Sequence, residues 1–182
     1  MNSTKAKIYE LLDLEILSNK INLYEDFVSV VADDTELEYI ASGSNGIKYD
    51  ANHIPLGNTK EEIKMRERII KEFYARWIEQ NPSKKVYNEY LKAFIHVKFI
   101  SINETFAKAA RNYESTCAVL MLDEILKSAV LISEVPAKRN NNQKAYEKML
   151  LMKALEKVKL TVGLQRTTQE YVQYCVTAPT EK

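Results

Sequence analysis

Glycine is scarce in this chain, four in 182 residues, and three of them (Gly43, Gly46, Gly57) crowd into one stretch. No Gly-rich phosphate loop and no G-x-S-x-G elbow can be written from what remains, which removes the common nucleotide-binding and serine-hydrolase readings. Histidine is scarcer still. His53 and His96 lie far apart and there is no H-E-x-x-H, so a histidine-based metal site has no support. The two cysteines, Cys117 in STCAVLML and Cys175 in YVQYCVTA, are too distant for a C-x-x-C pair and too few for a disulfide framework; they read as reduced, buried thiols. The carboxylate pairs Asp33-Asp34 and Asp123-Glu124 read as helix surface, since adjacent side chains on a helix diverge. The expectation is therefore no metal and no cofactor. No apolar run approaches the roughly 20 residues that span a bilayer, and the opening MNSTKAKIYELLDLE has no secretory apolar core. No membrane association and a cytoplasmic location are expected.

What is present is the composition of an ordinary globular protein, 46% hydrophobic and 28% charged, enough for one good core or two small ones. The net charge of +1 hides a division. Residues 1–83 carry 10 basic and 15 acidic side chains, net −5, and residues 84–182 carry 16 and 10, net +6. A basic half suits an acidic partner such as RNA, and an acidic half can cover it; the plainer reading is two solvated faces.

The pattern along the chain divides at the same place. Residues 4–18 space Ile8, Leu11, Leu12 and Ile16 as on an amphipathic helix, and INLYEDFVSVVA suggests another. Residues 33–58 read as a short strand and a long Gly-bearing loop. Thr59-x-x-Glu62 is a capping box opening a helix to about Gln80, with Ile63, Ile70, Phe73 and Trp77 on its buried stripe and Asn81-Pro82 as its stop. Beyond Pro82 come strand-like KVYNEYL and FIHVKFIS, the latter setting Ile95, Val97 and Phe99 against Phe94, His96, Lys98 and Ile100. Ser101-x-x-Glu104 predicts a helix to about Asn112, and Ser115 or Thr116 a second, burying Val119, Leu122, Ile125 and Leu126. AVLISEV leads to a strand ending at Pro136, followed by the polar loop PAKRNNNQKA. YEKMLLMKAL, VKLTVGLQ and EYVQYCVTA complete a meander with RTTQ as its last turn. Strict alternation puts Val158, Leu160, Val162 and Leu164 with Val172, Tyr174 and Val176 on an apolar face, and Lys159, Thr161, Gln173 and Cys175 on a mostly polar one. The fold class is α+β: a mainly helical acidic region over 1–83, then a basic α+β domain over 84–182 with a strand, two helices and an antiparallel sheet of about four strands.

Metal-independent RNA cleavage needs a proton shuttle, cations near the phosphate, and hydroxyl or amide donors, because RNA supplies its own nucleophile in the 2′-hydroxyl. His96, Lys98, Thr161 and Gln173 form the candidate catalytic set, with Arg111, Ser115, Lys159 and Arg166 as candidate nucleic-acid contacts. The plainer alternative is a half-buried strand histidine beside lysines that keep the sheet soluble.

From the strand IHVKFIS, through the helix ending DEILKSAV, to the hairpin closing in VQYCVTA, residues 84–178 resemble the small α+β domains of the large polyvalent proteins of phages and conjugative elements. Such domains look like relatives of the barnase, EndoU, colicin and RelE ribonuclease fold, which places a helical segment before a four-stranded antiparallel sheet. The resemblance implies RNA-directed activity in a mobile-element setting. The competing expectation is a non-catalytic interaction domain that binds another protein of the element or a second copy of itself. Its eleven tyrosines, Tyr87, Tyr90, Tyr113, Tyr171 and Tyr174 among them, suit packing and interfaces alike.

Overall fold

The computed structural model describes residues 54–139 and 141–180. The two helices expected before residue 33, the strand and loop before residue 54, His53 and Asp33-Asp34 lie outside them. Helix α1 (Lys60–Gln80) opens on the expected capping box: Glu62 N–H donates to Thr59 Oγ1 at 3.2 Å, and Thr59 N–H donates to the Glu62 carboxylate at 3.0 Å. Its buried stripe runs Arg66, Ile69, Ile70, Phe73, Tyr74, Trp77, Ile78, the three-and-four spacing of a single helical face. Arg66 is wholly buried and answers its own desolvation with backbone carbonyls, donating from Nε to Ala110 O at 2.7 Å and from Nη1 to Pro55 O and Gly57 O at 2.7 and 2.6 Å. That side chain ties the loop before the helix to the rest of the fold.

Strands β1 (Lys85–Asn88) and β2 (Ala93–His96) form a hairpin. Helix α2 (Phe99–Ala109) follows at once, then α3 (Tyr113–Val119) and α4 (Leu122–Ser128). The strand therefore ends at His96 instead of running to Ser101. Ser101 is the third helical residue, not the cap: its hydroxyl accepts from Lys98 N–H at 2.9 Å, so the helix starts three residues earlier than the Ser101 box predicts. The helix expected from Ser115 or Thr116 is two short ones. Asn112 supplies the first cap, accepting from Ser115 N–H at 2.7 Å, and Met121 leaves helical geometry at φ −104°, ψ 27°.

Strands β3 (Val130–Pro136), β4 (Tyr146–Ala154), β5 (Val158–Gln165) and β6 (Tyr171–Thr177) form the expected antiparallel meander. The β1–β2 hairpin extends it, because β2 lies parallel to β6 with Ile95 beside Tyr171 and His96 beside Val172. The sheet is mixed and six-stranded, in the order β1-β2-β6-β5-β4-β3. The class is α+β as expected, with two strands more than the meander alone.

The main core joins Ile70, Phe73, Tyr74 and Trp77 of α1 to Leu122, Ile125 and Leu126 of α4 and to Leu150, Leu160, Val162 and Val176 of the sheet. The charge division at residues 83 and 84 thus crosses a single hydrophobic core. Alternation fails on β6. A bulge lets Thr161 pair with Cys175 but Val162 with Gln173, so Gln173 shares the face of Val162, and Val172 pairs with Gly163 on the other. The second face is accordingly not mostly polar: Tyr146, Met149, Val172, Tyr174 and Cys175 form a smaller apolar cluster with Ile100 and Ala137. Gly163 is the residue that lets it close, since a Cβ there would meet Cδ1 of the Tyr146 ring at 2.4 Å. Gly163→Ala is expected to displace that ring from its edge-on contact with Tyr174 and to cost roughly 1–3 kcal/mol. A lowered urea midpoint at constant m would show it, and an unchanged midpoint would refute it.

Candidate functional site

One end of the sheet gathers ionisable side chains from three separate segments. His96 closes β2, Lys98 caps α2, and Glu170 sits in the β5–β6 turn immediately before β6. The parallel pairing of β2 with β6 brings Glu170 back to the first two. Its Oε2 accepts from Lys98 Nζ at 2.7 Å, and its Oε1 stands 3.9 Å from His96 Nε2. Lys98 Nζ also donates to Gln165 Oε1 at 2.8 Å, an oxygen that takes a second bond from Thr168 Oγ1 at 2.9 Å. The three side chains are partly open to solvent, 23% for His96, 37% for Lys98 and 36% for Glu170.

Burial favours the neutral imidazole and pushes His96 below its ordinary value of 6.5; Glu170 opposes the shift, while Lys98 and Lys85 reinforce it. The bond from Lys98 holds the Glu170 carboxyl below the usual carboxylate range against the weaker effect of burial. At neutral pH the group is therefore an imidazole able to accept a proton and an ionised carboxylate next to it, with the Lys98 side chain bonded to that carboxylate.

The other expected site residues are distributed along the sheet. Arg166, in the same β5–β6 turn as Glu170, donates from Nη2 to Tyr146 O at 2.9 Å. Gln173 is fully buried: it accepts from the Tyr74 hydroxyl at 3.0 Å and donates to Thr105 Oγ1 at 2.8 Å, so both its polar atoms are engaged. Thr161 is half-buried on β5, two strands across the sheet from β2, and pairs with Cys175, three residues along β6 from the Val172 that pairs with His96. Lys159 is exposed and pairs with Thr177, further along the same strand. Ser115 is buried and clasps the end of β6, donating to Ala178 O at 2.9 Å and accepting from Ala178 N–H at 2.8 Å; Arg111 is exposed just beyond α2. Of the eight, His96 and Lys98 meet at one site, with Arg166 on the turn that completes it.

Glu170 is the residue that local sequence reading misses. Nothing in RTTQE distinguishes it from a solvated turn glutamate, because its partners come from a strand that pairs in parallel some seventy positions away. A second ionisable cluster was missed for the same reason. Glu104 of α2 accepts from Lys108 Nζ at 2.8 Å, from Asn142 and from the Tyr174 hydroxyl, and its carbonyl accepts from Cys175 Sγ at 3.6 Å. Burial pushes the Cys175 thiol up to about 11 and keeps the Tyr174 phenol protonated. The thiol and the phenol are thus neutral where a nucleophile would need to be charged, and the Glu104 carboxylate is matched by Lys108, which makes the cluster a polar clamp between α2 and β6. Among the described residues, no three His, Cys, Asp or Glu side chains come together in a way that could hold a metal ion.

No curated protein and no solved structure matches the chain. The sequence model of large polyvalent protein-associated domain 3 does match, over residues 65–170, from within α1 to the Glu170 turn. That is more than half of the 182 residues, and the chain belongs to the large polyvalent protein-associated domain 3 family.

Proposed function

We propose that this domain, associated with the large polyvalent proteins of mobile elements, is directed at RNA, which it cleaves without a metal ion through His96, Lys98 and Glu170. The observation that carries the reading is the convergence of a neutral imidazole, an ionised carboxylate and an ammonium at one solvent-accessible end of the sheet. His96 takes the proton of the 2′-hydroxyl, whose oxygen attacks the adjacent phosphorus. The bond to the 5′-oxygen breaks, and that oxygen takes a proton from solvent water while the His96 imidazolium gives its own back to solvent, leaving a 2′,3′-cyclic phosphate and a 5′-hydroxyl end. Glu170 orients the imidazole and stabilises its charged form, and Lys98 offsets the charge gathering on the phosphate oxygens.

Charge supports the same partner. Residues 54–180 carry 21 Lys and Arg against 14 Asp and Glu, net +7, so the acidic excess of the chain lies before them. The whole 182-residue chain is expected to bind RNA at low salt, with an affinity that falls steeply and log-linearly as salt rises, because each phosphate contact releases a counterion. Titration of a labelled RNA at a series of salt concentrations tests this.

One observation favours a second reading, a protein-interaction domain. The edge strand β3 exposes Val130, Ile132 and Val135, with Leu151 next to them on β4, and Ile132 is 63% exposed. Absence of RNA binding at low salt, together with a dimer that Ile132→Glu disperses, would favour that reading over ours.

A further inference from the structure

The β1–β2 hairpin has one face in the core and one in solvent. Val86 and Ile95 are register partners turned inward, where Ile95 is fully buried. The alternate pairs, Tyr87 with Phe94 and Lys85 with His96, therefore lie on the outward face. Tyr87 is 44% and Phe94 45% exposed, an aromatic pair set edge to face with centroids 5.4 Å apart. Lys85 Nζ stands 4.7 Å from the centre of the Phe94 ring. Two large rings left half in water on an edge hairpin contribute less to the fold than they would inside it. They are also adjacent to the histidine of the candidate site.

We infer that this face is a stacking platform for single-stranded RNA, with bases on Phe94 and Tyr87 and the phosphate chain led along Lys85 and Lys98 to His96. The inference rests on the RNA-directed reading and gives it a substrate class. Every base has a π-face, so aromatic stacking accepts any unpaired strand but not one whose bases are locked inside a duplex. The charges fit a polyanion: Lys85 lies over the Phe94 ring, Glu170 is matched by Lys98 at the His96 end, and Glu89 of the hairpin turn faces Lys127 at 3.7 Å. A base settling on Phe94 displaces the Lys85 ammonium towards the neighbouring phosphate, where its charge serves better than over the ring.

Fluorescence anisotropy on the full chain tests this, with a labelled single-stranded RNA of about twelve nucleotides, a length within the span such surfaces cover. A His96→Gln background keeps the RNA whole. Phe94→Ala is expected to weaken binding roughly tenfold, within the range for loss of one stacked base. Phe94→Leu, which keeps apolar bulk and safeguards folding, is expected to lose as much. An abasic strand of the same length should bind the parent about as weakly as intact RNA binds Phe94→Ala. If the parent binds RNA and the Phe94 and Tyr87→Ala variants bind it equally well, the platform is wrong and the RNA-directed reading stands. If the parent binds no RNA at low salt, both fall. A duplex bound as tightly as the single strand would also overturn the platform.

Discussion

Trp77→Ala is expected to remove about 3–5 kcal/mol of folding stability, a large share of the roughly 5–15 kcal/mol that holds a domain together. Trp77 is 1% exposed, packs between α1 and the sheet, and donates from Nε1 to Asp123 Oδ1 at 2.7 Å, joining α1 to the first turn of α4. Removing the indole takes away both the largest apolar surface of α1 and a bond to a carboxylate. Trp77→Phe separates the two, since it keeps most of the packing and loses only the bond, and its cost should be clearly smaller. Denaturant unfolding of the three proteins measures both. A loss below about 1 kcal/mol for the alanine variant would mean that α1 is not a wall of the core. The same packing predicts that a chain begun at residue 84 would expose the surfaces that Phe73, Tyr74 and Trp77 now cover. Tests of function accordingly belong on the full chain.

Local sequence signals marked α1 and the meander well, for physical reasons that can be named. The Thr59 box and the spacing of Ile70, Phe73 and Trp77 are complete within one helix, and the alternation of Val158 to Leu164 needs only its own strand. Where the outcome depended on a partner strand, the local pattern failed. The β6 bulge carries Gln173 into the interior and Val172 to the opposite face, and strict alternation has no means of signalling an extra residue. Ser101 resembled a cap because Ser-x-x-Glu is the right pattern, yet the helix starts earlier and Ser101 bonds back to Lys98 N–H instead. In the candidate site, His96 and Lys98 were legible as an outward-facing pair near a strand end, whereas Glu170 depended on the parallel contact of β2 with β6, for which no local signature exists.

Cleavage of single-stranded RNA by the full chain in the presence of a metal chelator, compared between the parent and His96→Gln, addresses the central claim most directly. The account predicts cleavage by the parent that yields a 2′,3′-cyclic phosphate, a rate lowered by about 10²–10⁴ in the variant, and similar melting temperatures, because His96 is partly exposed at a strand end. The pH dependence supplies an internal check. With the folded imidazole held below 6.5 by burial, the parent's rate should rise with pH and reach half its maximum below 6.5. Stability carries the matching sign: as pH falls from 6.5 towards the lower folded value, the unfolded chain takes up the proton first, so the parent loses stability there relative to His96→Gln. Glu170, also held below its ordinary value, acts in the same sense but only as pH falls below 4.5, so the two losses occupy different ranges. Cleavage unchanged in a folded His96→Gln variant, or no cleavage by the parent at any pH between 5 and 8, the range over which histidine changes charge, would contradict the account.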